Sequence, residues 1–154
     1  MLTEQEELGA WLRLLLTPGI GPETARKLLA AFGPPQAIWA QTPTAWKSVV
    51  SARTAQAMAT TPEGWQELFE STWAWLSSQP EERAIVTLAD ADYPAALLQT
   101  ADPPCLLYAT GCIHGLGHLS GARTLAVVGS RNPTPQGRLN AGAFAQHLAQ
   151  AGLT

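Results

Sequence analysis

Leu16-Thr17-Pro18-Gly19-Ile20-Gly21-Pro22-Glu23-Thr24-Ala25-Arg26-Lys27-Leu28-Leu29 carries the densest local information in the chain. Two glycines bracket one apolar residue, and a proline stands on either side of the group. Pro18 ends a helix, because it has no N–H and its ring blocks the preceding turn. Pro22 suits the first turn of the next helix, where a missing N–H costs nothing. Gly19 and Gly21 permit a tight hairpin with bare backbone amides, and Ile20 turns inward to hold it. The segment predicts helix, hairpin, helix.

The flanks continue the pattern. Upstream, Thr3 and Glu6 form a capping box, and Leu8, Trp11, Leu12, Leu15 and Leu16 recur at helical spacing. Downstream, Gly33 fits the C′ position that ends the second helix. Residues 34–41 and 42–50 read as short helices, and 52–59 as another. Thr61-Pro62 caps a longer helix, whose Trp65, Leu68, Phe69, Thr72, Trp73 and Leu76 share one face. All six Trp lie in the first half. Their helical spacing assigns them to a core rather than to an exposed platform for bases. Residues 1–80 thus read as an all-α domain.

The Gly19–Gly21 segment resembles the helix-hairpin-helix motif of DNA-binding proteins, and the domain is of helix-hairpin-helix or SAM-like type. Bare amides beside a helix N-terminus can hold a phosphate, and Lys27 or Arg26 would add a sequence-independent contact. Packing alone is the plainer use here. Residues 1–80 carry five basic and seven acidic side chains, a net charge of −2. Glu23 sits beside the hairpin, and the motif occurs in one copy. Gly19, Gly21 and Lys27 are therefore secondary candidates for contacts to a DNA backbone.

The texture changes near 77–82. Ala84 to Leu88, Leu106 to Tyr108 and Leu125 to Val128 are expected strands. The last is fully apolar, as buried parallel strands are. After Thr134-Pro135 the pattern is helical to about Gln150, with Leu139, Ala143, Phe144, Ala145 and Leu148 inward. Residues 81–154 read as the first part of a Rossmann-like α/β domain, and the whole chain as α+β. Thr124 to Arg138 is a strand, a glycine turn and a helix. In such sheets ligands bind at the carboxyl ends of strands, where a helix N-terminus attracts anions. The dinucleotide fingerprint is absent, and no acidic residue follows to hold a ribose. Arg131 offers a planar fork for phosphate or base. Ser130, Asn132 and Thr134 are short polar donors, Thr134 being alternatively only the helix cap. Gly129, Ser130, Arg131 and Asn132 form the candidate anion site.

Composition bounds the function. The chain has 154 residues, 46% hydrophobic and 14% charged, with a net charge of −3. Such an apolar fraction excludes wholesale disorder. No run approaches the ~18 to 20 apolar residues of a membrane span. The acidic N-terminus lacks the pattern of a signal peptide, which points to the cytoplasm. A pI near 5.5 argues against nucleic acid, but the charge is uneven. Residues 103–154 contain no Asp or Glu, and hold Arg123, Arg131, Arg138 and all three His, for a side-chain charge of +3. A locally positive segment is a candidate anion site. Cys105, Cys112, His114 and His118 lack the usual zinc spacing and read as loop and strand residues of a reduced protein. Asp90, Asp92 and Asp102 read as turn caps near Pro94 and Pro103. No catalytic residue, metal or cofactor is expected.

A helix-hairpin-helix-like segment and the three motifs that follow it together resemble the bacterial DNA-processing protein A family (DprA/Smf). PGIGPETARKLLAAFG lies in a helix-hairpin-helix-like N-terminal domain. Asp92-Tyr93-Pro94-Ala95-Ala96-Leu97-Leu98 is similar to the family's "YP..L" segment, and Asp102 to Gly111 to its "PP..LY..G" pattern. Val127-Val128-Gly129-Ser130-Arg131 with Gly137 is similar to "VGSR…G". The resemblance implies a single-stranded DNA-binding protein of natural transformation. It would protect incoming DNA and help load the RecA recombinase, without catalytic activity. It also implies that Gly129, Ser130 and Arg131 contact DNA; in the full-length protein Arg131→Ala is then expected to weaken binding by about 1–3 kcal/mol, the range of a charge-assisted hydrogen-bond pair. The family's Rossmann-like domain continues well past Thr154, so the chain is expected to be a fragment that binds DNA weakly or not at all. The resemblance supports a homodimer for full-length members, not for this fragment. The competing readings are a Rossmann-like nucleotide hydrolase using the same turn, and a helical protein-interaction adaptor.

Overall fold

The computed structural model describes residues 5–111 and 123–154. Thr3, of the expected capping box, and Cys112, His114 and His118 lie outside the described residues. The first helix, α1 (Gln5–Leu16), closes where Thr17 turns back on it. The Thr17 amide and hydroxyl both donate to the Arg13 carbonyl, at 3.1 and 2.7 Å. The hairpin follows, and α2 (Pro22–Phe32) starts on Pro22 as the sequence predicts. Only one of the two hairpin glycines is needed for its backbone. Gly19 has φ +87°, and a Cβ there would stand 2.9 Å from Thr54 Oγ1. Gly21 is extended (φ −91°, ψ 178°) and has open space around it. Ile20 is buried as expected, and the Gly33 amide ends α2 on the Leu29 carbonyl at 2.9 Å.

Three short helices follow: α3 (Pro35–Trp39), α4 (Pro43–Trp46) and α5 (Ala52–Met58). Thr42 caps α4 and Ser51 caps α5, each hydroxyl accepting an amide three residues on. The longer helix α6 (Trp65–Ser78) begins later than Thr61-Pro62. Gly64 stands before it at φ +75°, ψ 0°. That left-handed residue breaks the right-handed path, so the helix cannot reach back to Pro62.

Leu8, Leu14, Leu28, Ile38 and Met58 are fully buried at the centre of the helices, with α1 packed against α3 and α6. The tryptophans belong to this core. Trp11 and Trp46 are buried, while Trp39, Trp65, Trp73 and Trp75 pack partly buried against it. Three of the indole N–H groups have backbone partners, as burial favours: Trp65 donates to Gly9 O at 3.0 Å, Trp39 to Ala10 O at 3.1 Å and Trp46 to Ile38 O at 2.8 Å. Trp65 also stacks on Phe69, with ring centroids 5.7 Å apart.

Two of the three expected strands form. β1 (Arg83–Thr87) and β2 (Leu106–Thr110) pair antiparallel, Ile85 facing Tyr108. A short helix, α7 (Ala95–Leu98), lies between them in sequence. Bonds from Leu88 N to Cys105 O (3.1 Å) and from Gly111 N to Glu82 O (2.8 Å) extend the ladder at both ends. One face of the sheet joins the helical core through Ile85 and Cys105. Thr72 of α6 and the Tyr108 hydroxyl meet at 2.9 Å on that side. Ala84 and Val86 point the other way, into a smaller cluster with Tyr93, Leu97 and Leu107.

The expected strand at Leu125 to Val128 does not form. The Leu125 amide donates to Thr154 O at 2.9 Å and the Thr154 amide to Arg123 O at 2.8 Å, but residues 124–130 are not a strand. An extended segment becomes a strand only through a hydrogen-bonded neighbour, and among the described residues none runs beside 126–128. The last helix, α8 (Pro135–Gln150), does form, yet it holds no buried residue. The inward face expected of it is therefore open: Leu139 is 69% exposed and Phe144 65%.

Candidate functional site

Around residue 129 an extended segment turns into α8. Ser130 Oγ accepts the Asn132 amide at 3.2 Å, which closes the turn locally. Thr134 Oγ1 accepts the Gly137 amide at 3.1 Å. Of the two roles open to Thr134, the structure shows the helix cap; capping uses an oxygen lone pair and leaves the O–H able to donate. Pro135 then starts the helix, so the positive end of α8 faces the turn. A cleft of about 650 Å3 lies here. Gly129, Ser130, Asn132, Thr134 and Arg138 line it, together with Val127 and Val128.

Among the described residues no acidic side chain lines this cleft. Arg131 is exposed on the turn and is not among the lining residues, whereas Arg138 is. In the sequence Arg138 counts among the cations of the positive segment but not with the turn residues of the candidate site. The available signal was its distance from the cap: four residues after Thr134 lies one helical turn, which brings a side chain back over the helix start. The arrangement suits a bound anion, through a guanidinium, short polar side chains and a helix N-terminus. Among the described lining residues there is no nucleophile with a base beside it. His147 is in the last turn of α8, at the other end of the helix.

The hairpin is a weaker anion site than its sequence suggests. Lys27 Nζ sits 2.7 Å from Glu23 Oε1, one turn back on the exposed side of α2. That hydrogen bond, with the lysine's charge, holds the Glu23 carboxyl below its ordinary pKa. Arg26 is engaged too, with Nη2 2.7 Å from Asp102 Oδ1 and Nη1 2.6 Å from Pro103 O. Both cations that would join Gly19 and Gly21 at a phosphate thus already have acidic partners.

Residues 5–63 match the family model of the DprA-like N-terminal HHH domain, and residues 84–154 match that of DNA recombination-mediator protein A. The chain belongs to the DNA recombination-mediator protein A family. That family acts in DNA processing during recombination. No curated protein and no solved structure matches the chain.

The other family-like motifs of this recombination-mediator chain hold its architecture. Tyr93 is buried and its hydroxyl donates to Pro104 O at 2.7 Å, tying the "YP" segment to the "PP" segment. Asp90 caps a turn as expected, its Oδ2 accepting the Thr87 amide at 2.7 Å and hydroxyl at 2.9 Å. Burial raises the pKa of this carboxyl, but hydrogen bonds, those from Thr87 among them, outweigh that and leave it below the usual value. Cys105 is buried, with Sγ 3.5 Å from Pro22 O, and burial pushes its thiol pKa up. Among the described residues no three His, Cys, Asp or Glu side chains cluster as metal ligands. No described helix is long and apolar enough to cross a membrane.

Proposed function

We propose that this protein binds single-stranded DNA in the cytoplasm during natural transformation, protects it and helps load the RecA recombinase. It acts by binding, with no catalysis of its own. The observation that carries this reading is the cleft at the start of α8. A turn of Gly129, Ser130 and Asn132, the helix N-terminus and Arg138 face one space, and among the described residues no carboxylate lines it. A polyanion gains there from the helix dipole and from charge-assisted hydrogen bonds. The lack of an acidic lining residue favours binding over nucleotide hydrolysis, which needs a base to activate water.

Fluorescence anisotropy with a labelled single-stranded oligonucleotide tests this. Arg138→Ala and Arg131→Ala, each made in the whole protein, are expected to cost about 1–3 kcal/mol of binding, the range of a charge-assisted contact. Binding is also expected to weaken with rising salt, and less steeply in each variant, because one phosphate contact is gone. Unchanged affinity and slope at matched salt would remove that arginine from the site. Loss of neither would remove the cleft.

A further inference from the structure

We infer that residues 102–105 form a strap that fastens the β1–β2 sheet to the start of α2, with Arg26 as its buckle. The helix-hairpin-helix unit and the sheet then move as one body. Every residue of the strap is held. Arg26 spans Asp102 and Pro103 with the two arms of its guanidinium, at 2.7 and 2.6 Å. The planar guanidinium reaches the two acceptors from separate nitrogens held in fixed geometry, which a single lysine nitrogen does not reproduce. Pro104 O accepts the Tyr93 hydroxyl at 2.7 Å. Cys105 reaches both ways, its Sγ to Pro22 O at 3.5 Å and its carbonyl to the Leu88 amide at 3.1 Å.

The composition of the strap suits it to tension. Pro103 and Pro104 have no N–H, so their carbonyls are the only backbone groups available, and Arg26 and Tyr93 take them. Their fixed φ leaves the segment little freedom to slacken. Cys105 lies in the same buried cluster as Leu28 of α2 and Ile85 of β1, so an apolar anchor ends the strap. The buckle itself is partly open to solvent, with Arg26 26% and Asp102 55% exposed. Exposed ion pairs are individually weak. The strap is therefore releasable, and a shift of α2 is passed to β2 while it is closed.

Amide hydrogen exchange on the whole chain tests this. In Arg26→Ala, the Leu88 amide and the amides of residues 105–110 are expected to exchange about tenfold faster, the scale of one lost hydrogen bond. The Trp46 amide, bonded within α4's first turn to Thr42 O, is expected to stay unchanged. Arg26→Lys, which keeps the charge but not the fork, is expected to show most of the same acceleration. Asp102→Asn removes one arm's charge and is expected to give about twofold. Protection at Leu88 equal to wild type in Arg26→Lys and Asp102→Asn would overturn the strap. So would acceleration shared equally by Trp46, since that marks general loosening rather than a local fastening. If Arg26→Ala fails to fold, the two milder variants give the decision.

Discussion

In residues 5–111, Leu8, Leu14, Leu28 and Ile38 are fully buried; in residues 123–154, Val127, Val128, Leu139 and Phe144 are each more than half exposed. Both regions carry apolar side chains at regular spacing. In the first, helices close on one another and on a sheet, so each apolar stripe meets another layer. In the second, α8 forms on local signals alone, the Thr134 cap and Pro135 at its start. Periodicity thus suffices to place a helix, while burial needs a second surface. The same contrast separates architecture from the candidate site. The tyrosine, prolines and arginine of the first region are spent on holding it together, whereas Ser130, Arg131 and Arg138 remain exposed to solvent.

The comparison breaks most visibly at the core. Leu28→Ala is expected to destabilise the protein by about 2–5 kcal/mol, as cavities in packed cores do. Phe144→Ala is expected to change it by less than about 0.5 kcal/mol, as exposed substitutions do. Urea unfolding measures both, followed by tryptophan fluorescence for Leu28→Ala and by far-UV circular dichroism, which also reports α8, for Phe144→Ala; comparable losses would mean that Phe144 is buried in solution. Gly19→Ala comes next, at about 1–3 kcal/mol, because it forces a left-handed backbone on alanine and drives its Cβ against Thr54. The same unfolding assay checks it, with Gly21→Ala expected to cost less.

Thr134→Ala probes the second region alone. It is expected to cost α8 about 1 kcal/mol, seen as faster exchange of the Gly137 amide with the tryptophan transition unmoved. The smallest effect concerns Asp90. Its folded pKa is depressed, so its stabilisation is complete above the unfolded value of about 4 and is lost as pH falls through the lower folded value. Asp90→Asn is expected to flatten the acid limb of the stability curve in that window. An unaltered acid limb would show that the Thr87 bonds contribute no pH-linked stability.

The sequence was most informative where a signal is local. Pro18, Pro22 and Gly33 mark the ends of α1 and α2, and Thr134 and Pro135 mark the start of α8, because capping and proline geometry involve only neighbouring residues. The turn at Gly129 was legible for the same reason. Contacts across many residues were not. Arg26 and Asp102 lie 76 positions apart, and nothing in α2 shows that its arginine belongs to a loop rather than to a phosphate. Nor does the apolar run at Leu125 to Val128 reveal whether a neighbour exists to make it a strand. Helices close their hydrogen bonds within themselves, so composition and spacing were enough to locate them. Strand pairing, the partner of each charge and the burial of each stripe depend on which distant segments meet, and folding alone brings those segments together.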